Sequence, residues 1–401
     1  MNNLNTERLI LLRGVLRDEA VSALTEALAR GSIGAYARAY GILLESDMQD
    51  SFAAYIAGLI LREDSLFARR ACTAAPAKAL HTAMANDLRI LQELAKKTQN
   101  LPDEIRRATE EGFPAIGYGE ESPLFGGDWA SDDTIGKLAR FYRKNGYGIF
   151  IGNKAFTFDG ENLKPVLNTP EITLRDLKDY EEEKRAVEDN IVNFIGGLPY
   201  SNMLLYGDKG TGKSSTVHAM LNKYAGKGLR CMEIPKEQIC LINKVKEVLS
   251  ALPFKFILFI DDLSLEERDE KVTALKAGLE GSIHERSSNV MIAATSNRRH
   301  IVKENFSDRE NSVHARDTME EQLSLSDRFG LTVCFSSTGK AEYLSIVKQL
   351  AADARIEIPD EELCSLAERW ALVKGGRSPR RAKQFIDYVY SCLAKHIPID
   401  I

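Results

Sequence analysis

This chain has no long hydrophobic run. The N-terminal stretch MNNLNTERLILLRG lacks the apolar core of a secretory leader, and apolar runs elsewhere fall well short of the ~20 residues that a membrane helix needs. A cytoplasmic protein with no membrane partner is expected. Cysteines at metal or redox spacing are missing as well: the six, at 72, 231, 240, 334, 364 and 392, form no C-x-x-C pair and fall mostly in apolar segments. They read as buried thiols in a reducing compartment, not as a zinc site or a disulfide frame. The six histidines are scattered without an H-E-x-x-H, so no dedicated transition-metal site is expected. Charge of one sign is not in excess either. With 53 Lys and Arg against 58 Asp and Glu, the net charge of −5 argues against whole-surface attraction to nucleic acid and leaves that role only to a local basic stripe.

What is present is ordinary globular composition, 44% hydrophobic and 28% charged, in a 401-residue chain too long for one modest core. Two or three domains are expected. Residues 1–111 carry apolar side chains three and four apart, as in Val21, Leu24 and Leu28, then Leu80, Met84, Leu88, Leu91 and Leu94. This spacing gives a helical N-terminal domain, either a partner-docking module or a scaffold. Residues 112–170 read as a linker. Its first part, GFPAIGYGEESPLFGGDW, has the composition of a boundary loop; a helix near 132–145 follows. Then Ile149–Ile151 and Ala155–Phe158 flank Gly152, Asn153 and Lys154 as a hairpin signal.

From 171 to 337 helical and strand patterns alternate. A helix is expected over Thr173–Ile195, and strands at Met203–Tyr206, 229–234, 254–262, 289–297 and 331–335. Several strands are continuous apolar runs, as in a parallel sheet covered on both faces. Residues 338–401 read as a small helical domain of three segments.

The chain is organised around Asn202–Tyr224. Gly207, Asp208, Lys209, Gly210, Thr211, Gly212, Lys213 and Ser214 match G-x-x-x-x-G-K-[ST] at every specified position, between a buried strand and a helical pattern. Glycines let backbone amides wrap an anion closely, and the following helix aims its N-terminal amides and positive dipole end at the same point. These residues, with Ser215, are expected to cradle a triphosphate. Lys213 should reach its β- and γ-phosphates, and Ser214 should hold Mg²⁺. Farther on, the buried strand FILFI ends in Asp261 and Asp262. Carboxylates at the C-terminal edge of a parallel strand sit where a phosphate-bound metal and an attacking water need them. Asp261 is expected to order the magnesium shell and Asp262 to polarise water; a helix cap is the plainer role for Asp262.

These residues resemble the AAA+ ATPases over roughly 170–395, and more narrowly a bacterial group of AAA+ ATPases known mainly as a family of unknown function. The resemblance implies an α/β P-loop NTPase core with a C-terminal helical lid behind the all-α N-terminal domain, binding ATP with Mg²⁺. It places the polar sensor of TSN at Asn297, with Thr295 and Ser296 as neighbours. LSLSDRFGLTV resembles the segment that carries an arginine finger, which makes Arg328 the candidate, and a finger serving the next subunit requires a head-to-tail homo-oligomer, ring or helix. GGRSPRRAKQF resembles the lid helix whose arginine reaches the nucleotide. Arg380 fits best, with Arg377 and Arg381 close by. The segment near Asp179 and Tyr180 corresponds to an adenine pocket.

Two departures stand out. AAA+ enzymes usually carry glutamate where this chain has Asp262, whose carboxylate sits one methylene back. A long polar loop also separates Asn297 from Asp327. The function implied is ATP hydrolysis that drives remodelling or loading of an unknown protein or nucleic-acid client. The alternatives are a nucleotide-gated switch with negligible hydrolysis, and a DNA-associated loader using Arg369, Lys374, Arg377, Arg380, Arg381 and Lys383 as a basic face.

Overall fold

The computed structural model describes residues 5–101, 114–119, 123–266, 270–280, 289–297, 302–303, 325 and 327–401. The chain forms two compact units, Met1–Gly152 and Asn153–Ile401.

The first unit is helical among its described residues: α1 (Glu19–Arg30), α2 (Ile33–Glu45), α3 (Phe52–Arg62), α4 (Leu66–Thr73), α5 (Lys78–Thr98) and α6 (Asp132–Asn145). Local chemistry sets the helix starts. The side chains of Asp18, Ser32, Ser65 and Ser131 each accept a first-turn amide of α1, α2, α4 and α6, a cap that contributes about 1 kcal/mol apiece. Asp87 on α5 is fully buried, and its carboxylate accepts the backbone N–H groups of Ile10, Leu11 and Leu12 at 2.6–3.0 Å. It therefore stitches the start of the unit to its longest helix. The described part of the Gly- and Pro-rich segment after 112 is bonded into this unit: Phe52 and Ala53 donate to the carbonyls of Gly117 and Tyr118, and the Tyr36 hydroxyl donates to Pro114 O. Phe125 and Trp129, both buried, pack edge to face at 5.1 Å. The aromatics fill the space, while Gly117 and Gly119 let the backbone lie against Asp50 and Ser51, where a methyl would fall 2.7 and 2.5 Å from main-chain atoms.

The second unit is built on a seven-stranded sheet, with the strands β1 (Ala155–Phe158), β2 (Leu163–Pro165), β3 (Met203–Gly207), β4 (Leu229–Glu233), β5 (Lys255–Ile260), β7 (Val290–Ser296) and β9 (Leu331–Phe335). Two short strands, β6 (Leu265–Glu266) and β8 (Val302–Lys303), pair apart from it. The order is β2-β1-β4-β5-β7-β3-β9, parallel throughout except for β2. Alternate residues of β3, β5 and β7, including Met203, Leu205, Ile257, Phe259, Met291 and Ala293, face one core with α7 (Glu181–Gly196) and α8 (Lys213–Tyr224). The opposite face is covered by α9 (Ile242–Ser250) and α10 (Glu270–Glu280), which meet so closely that a methyl at Gly278 would lie 2.6 Å from Ile242. Burial on both faces is why these strands are unbroken apolar runs. The last helices, α11 (Lys340–Asp353), α12 (Asp360–Val373) and α13 (Pro379–Ala394), enclose a separate apolar cluster around Tyr343, Leu363, Ala367, Phe385 and Val389.

The hairpin forms one segment later than the glycine signal suggests. Residues 148–150 make a short 3-10 turn, and β1 pairs with β2 because Asp159 accepts the amides of Glu161 and Asn162, closing the turn between them. The helix expected over Thr173–Ile195 is also interrupted. Thr173 and Asp176 cap a single 3-10 turn, and Asp179 and Tyr180 take left-handed φ values of 70° and 61° before α7 begins. The Tyr180 hydroxyl holds that kink by donating to Ser336 O at 2.7 Å. Most of the polar loop between Asn297 and Asp327 lies outside the described residues. Among the described residues, no helix is long and apolar enough to cross a membrane.

Candidate nucleotide site

The parallel topology lines up the C-terminal ends of β3, β5 and β7, and the motif residues meet there. At the end of β3 the backbone of Gly207 passes against β9 so tightly that a methyl would fall 1.9 Å from the carbonyl oxygen of Phe335. Only glycine, here at φ 132°, can occupy that position. The loop then turns into α8, whose first residue is Lys213. A cleft of about 940 Å³ opens over it, lined by Lys209, Gly210, Gly212, Lys213, Ser214 and Ser215 on the loop and by Asp261, Asp262, Thr295 and Asn297 at the strand ends. Further walls come from the C-terminal helices, among them Arg380, Ile346, Leu350, Ile386, Lys383 and Asp387, and from the segment ahead of α7, including Ile172, Leu177 and Lys178. That volume suits a nucleotide-sized ligand.

Lys213 is almost fully buried, and its Nζ donates to the carbonyls of Gly207 at 2.8 Å and Asp208 at 2.7 Å, with Asn297 Oδ1 at 3.5 Å. Burial depresses its pKa below the usual lysine value, while Asp208, Asp261 and Asp262 pull it back and Arg380 adds to the depression. An anionic ligand would offset the cost of that desolvation by pairing with the ammonium. Thr211 is buried and does not line the cleft; its hydroxyl donates to Asp208 O at 2.9 Å and so braces the loop from within. Asp208 does not line the cleft either; its carbonyl accepts from Thr211 and Lys213.

The acids are held by a compact network. Ser214 Oγ donates to Asp261 Oδ1 at 2.5 Å, and Thr295 Oγ1 donates to the same oxygen at 2.6 Å. Asp262 has a left-handed φ of 49°, a conformation that aspartate tolerates better than most residues. Its backbone N–H donates to Thr295 Oγ1 at 2.9 Å. Its carboxylate accepts from Asn297 Nδ2 at 2.5 Å and pairs with Lys236 Nζ at 3.3 Å. The strand ends are knit further by Leu263 N donating to Thr295 O and Ser296 Oγ donating to Leu263 O. Ser214 and Asp261 supply the hard oxygen donors that Mg²⁺ prefers, and the loop amides and Lys213 supply the positive surface a phosphate needs, so the residues fit a magnesium nucleotide.

Three arginines near the start of α13 are separated by their partners. Arg377 forms a two-pronged pair with Glu368 at 3.0 and 2.8 Å, Arg381 donates to Gln384, and Arg380 lines the cleft. Lys383 pairs with Asp387 at 3.5 Å, so the basic face drawn from the sequence is partly neutralised. Arg328 lies in the short turn that leads into β9 and does not line the cleft of its own chain. Nor do Asp179 and Tyr180: the wall ahead of α7 is made by Ile172, Leu177 and Lys178, because the left-handed kink turns Tyr180 onto Phe335, with ring centroids 5.3 Å apart. Lys178 reaches across to Asp353 on α11 at 2.7 Å. Sequence reasoning missed the parts played by Thr295, Lys236, Lys178 and the apolar trio Ile346, Leu350 and Ile386. Thr295 stood beside Asn297 and Lys178 beside Asp179, so both adjoin segments that the sequence singles out.

A family model described as "Protein of unknown function (DUF815)" matches residues 152–393. No curated protein matches the chain. Among solved structures, the Thermotoga maritima RuvB Holliday junction branch migration motor aligns with a TM-score of 0.40 at 17% identity, over 57% of this chain and 67% of that one. Two point variants of the same Thermotoga maritima protein align over the same shares, one with a TM-score of 0.40 at 18% identity and one with 0.38 at 17%.

Proposed function

Because the chain belongs to the DUF815 family across residues 152–393 and carries a P-loop sequence on a parallel sheet, we propose that it is an AAA+ protein that binds ATP with Mg²⁺ and hydrolyses it. The core at 171–337 and the lid at 338–401 are the moving parts of this reading, and the N-terminal helices at 1–111 a module that engages or supports a client. The observation that supports it most is the convergence of Lys213, Ser214, Asp261, Asp262, Asn297 and Arg380 on one cleft. Lys213 and the amides from Gly210 to Ser214 would hold the phosphates, and Ser214 and Asp261 the metal, which when bound supplies charge neutralisation at the transferring phosphoryl group. Ile172, Leu177, Ile346, Leu350 and Ile386 offer an apolar slot for the base. Asp262 and Asn297 orient the attacking water. Arg380 ties the lid to the bound phosphates, so that loss of the γ-phosphate relaxes the angle between core and lid. Arg328 completes the site of a neighbouring copy in a head-to-tail oligomer, ring or helix, working in the cytoplasm on a protein or nucleic-acid client. Purified protein should turn over ATP, and Lys213→Ala should lose that turnover; undiminished turnover in the variant would refute the reading.

A second reading is favoured by one detail. The Asp262 carboxylate is a methylene shorter than glutamate and already engaged by Asn297 and Lys236, which suits a nucleotide-gated switch with negligible hydrolysis. Misplacement of about 1 Å can cost roughly a hundredfold in rate. Turnover of Asp262→Glu separates the two: a fall supports a tuned ATPase, and a large gain supports the switch.

A further inference from the structure

We infer that Thr295 is the positioning residue for both strand-end acids, so that one hydroxyl sets the metal-holding carboxylate and the water-directing residue together. This rests on the ATPase reading of the site and adds a residue to it. A threonine hydroxyl has one proton and two lone pairs. Here the proton goes to Asp261 Oδ1 at 2.6 Å, and a lone pair takes the Asp262 N–H at 2.9 Å, which uses the group in both directions. The side chain is buried on β7, between the loop strand β3 and the acid strand β5 in the sheet, and its β-branching restricts χ1.

The consequence for each acid is different. Asp261 Oδ1 also accepts from Ser214 Oγ, the hydroxyl that would offer its lone pair to the metal. Thr295 keeps a second donor on that oxygen, so the carboxylate stays oriented whatever Ser214 does. Asp262 sits at a left-handed φ of 49°, outside the preferred regions for a residue with a side chain. The bond from its amide to Thr295 fixes the backbone in that conformation, and with it the direction in which the side chain meets Asn297.

Thr295→Val keeps the shape and removes the hydroxyl, leaving the Asp262 amide without its acceptor. In the nucleotide-free protein, hydrogen exchange at the Asp262 amide should quicken at least about tenfold, because that bond protects it. ATP affinity in the presence of EDTA should stay within about twofold of wild type, while the affinity gained on adding Mg²⁺ should shrink and turnover should fall by about a hundredfold. Thr295→Ser restores a hydroxyl at the same place and should recover exchange protection, magnesium response and most turnover. If the valine variant does not fold, Thr295→Ala, which relieves any packing conflict, is read by the same three measurements. Unchanged exchange and an unchanged magnesium response in a folded hydroxyl-free variant overturn the inference. So does a loss of affinity that is equal with and without Mg²⁺, or a serine variant no better than valine, since each means that Thr295 serves packing alone. Wild-type protein that binds ATP without turning it over would defeat the ATPase reading, and the exchange and magnesium measurements would still decide the role of Thr295.

Discussion

The backbone amide of Arg380 donates a hydrogen bond to the carbonyl of Gly210 at 3.2 Å, so the start of α13 rests directly on the loop at 207–214. The Ser378 hydroxyl and the Arg380 Cβ lie 3.0 and 3.2 Å from where a methyl on Gly210 would stand. The C-terminal helices and this loop meet through a main-chain hydrogen bond and through the Ser378 and Arg380 side chains packed against Gly210.

Gly210→Ala should therefore disturb both at once. The residue has φ +83°, and holding alanine there costs about 1–3 kcal/mol even before the new methyl presses on Ser378. The expected result is a lower unfolding temperature for the second unit and nucleotide affinity reduced about tenfold or more, measured by scanning calorimetry and by nucleotide titration. Affinity equal to wild type would mean that the loop accommodates the methyl without strain.

Arg328→Ala tests the assembly. Because Arg328 does not line the cleft of its own chain, nucleotide binding by the variant should match wild type. Turnover should fall by roughly a thousandfold, the lower end of what an arginine finger supplies. Mixing the variant with a Lys213→Ala chain should restore some activity, since each copy can supply the part that the other lacks. No recovery in the mixture argues against a site shared between copies.

The fold was legible because its signals are local. FILFI and VMIAAT are buried runs of strand length, and the loop between Gly207 and Ser214 carries its own spacing rule. Asp261 and Asp262 are read from the buried strand that they end, and Asn297 and Arg380 from the resemblance to AAA+ proteins; all four line one cleft. What stayed hidden depends on contacts between distant segments. Nothing in the order of residues says that Lys178 will reach Asp353, or that Lys236 will pair with Asp262. The kink at Asp179 and Tyr180 was masked by helix-forming neighbours, and it exists because the Tyr180 hydroxyl finds a carbonyl 156 positions away.

His218 gives the second unit a pH response. It lies on α8, edge to face with Phe259 at 5.6 Å, and burial lowers its pKa below the ordinary 6.5 despite the nearby carboxylates of Glu233 and Asp261. Between the folded value and 6.5 the unfolded chain binds more protons than the folded one. Stability therefore falls as pH drops from about 6.5 toward the lower folded value, at no more than about 1.4 kcal/mol per pH unit. His218→Gln should show a smaller loss of urea midpoint between pH 7.5 and 5.5 than wild type; an identical loss would assign the acid sensitivity to other groups.

In the first unit, Asp87→Ala removes the acceptor for three backbone amides in a fully buried place. Leaving such donors unpaired should cost about 3 kcal/mol or more. The unfolding transition of this unit, followed by circular dichroism, should shift down accordingly. If ATP binding is unchanged in the same variant, the defect is confined to the helical unit.

The hairpin at the head of the second unit has a consequence for how copies can associate. β4 would be an outer strand of the sheet were it not paired with β1, and beyond β1 lies only the three-residue β2, which ends in Pro165. A strand so short, with a residue that has no amide proton to offer, is a poor template for a further strand. Growth of a continuous intermolecular ribbon is therefore discouraged on that flank of the sheet, where an added copy would have to dock through side chains instead of extending the strand ladder.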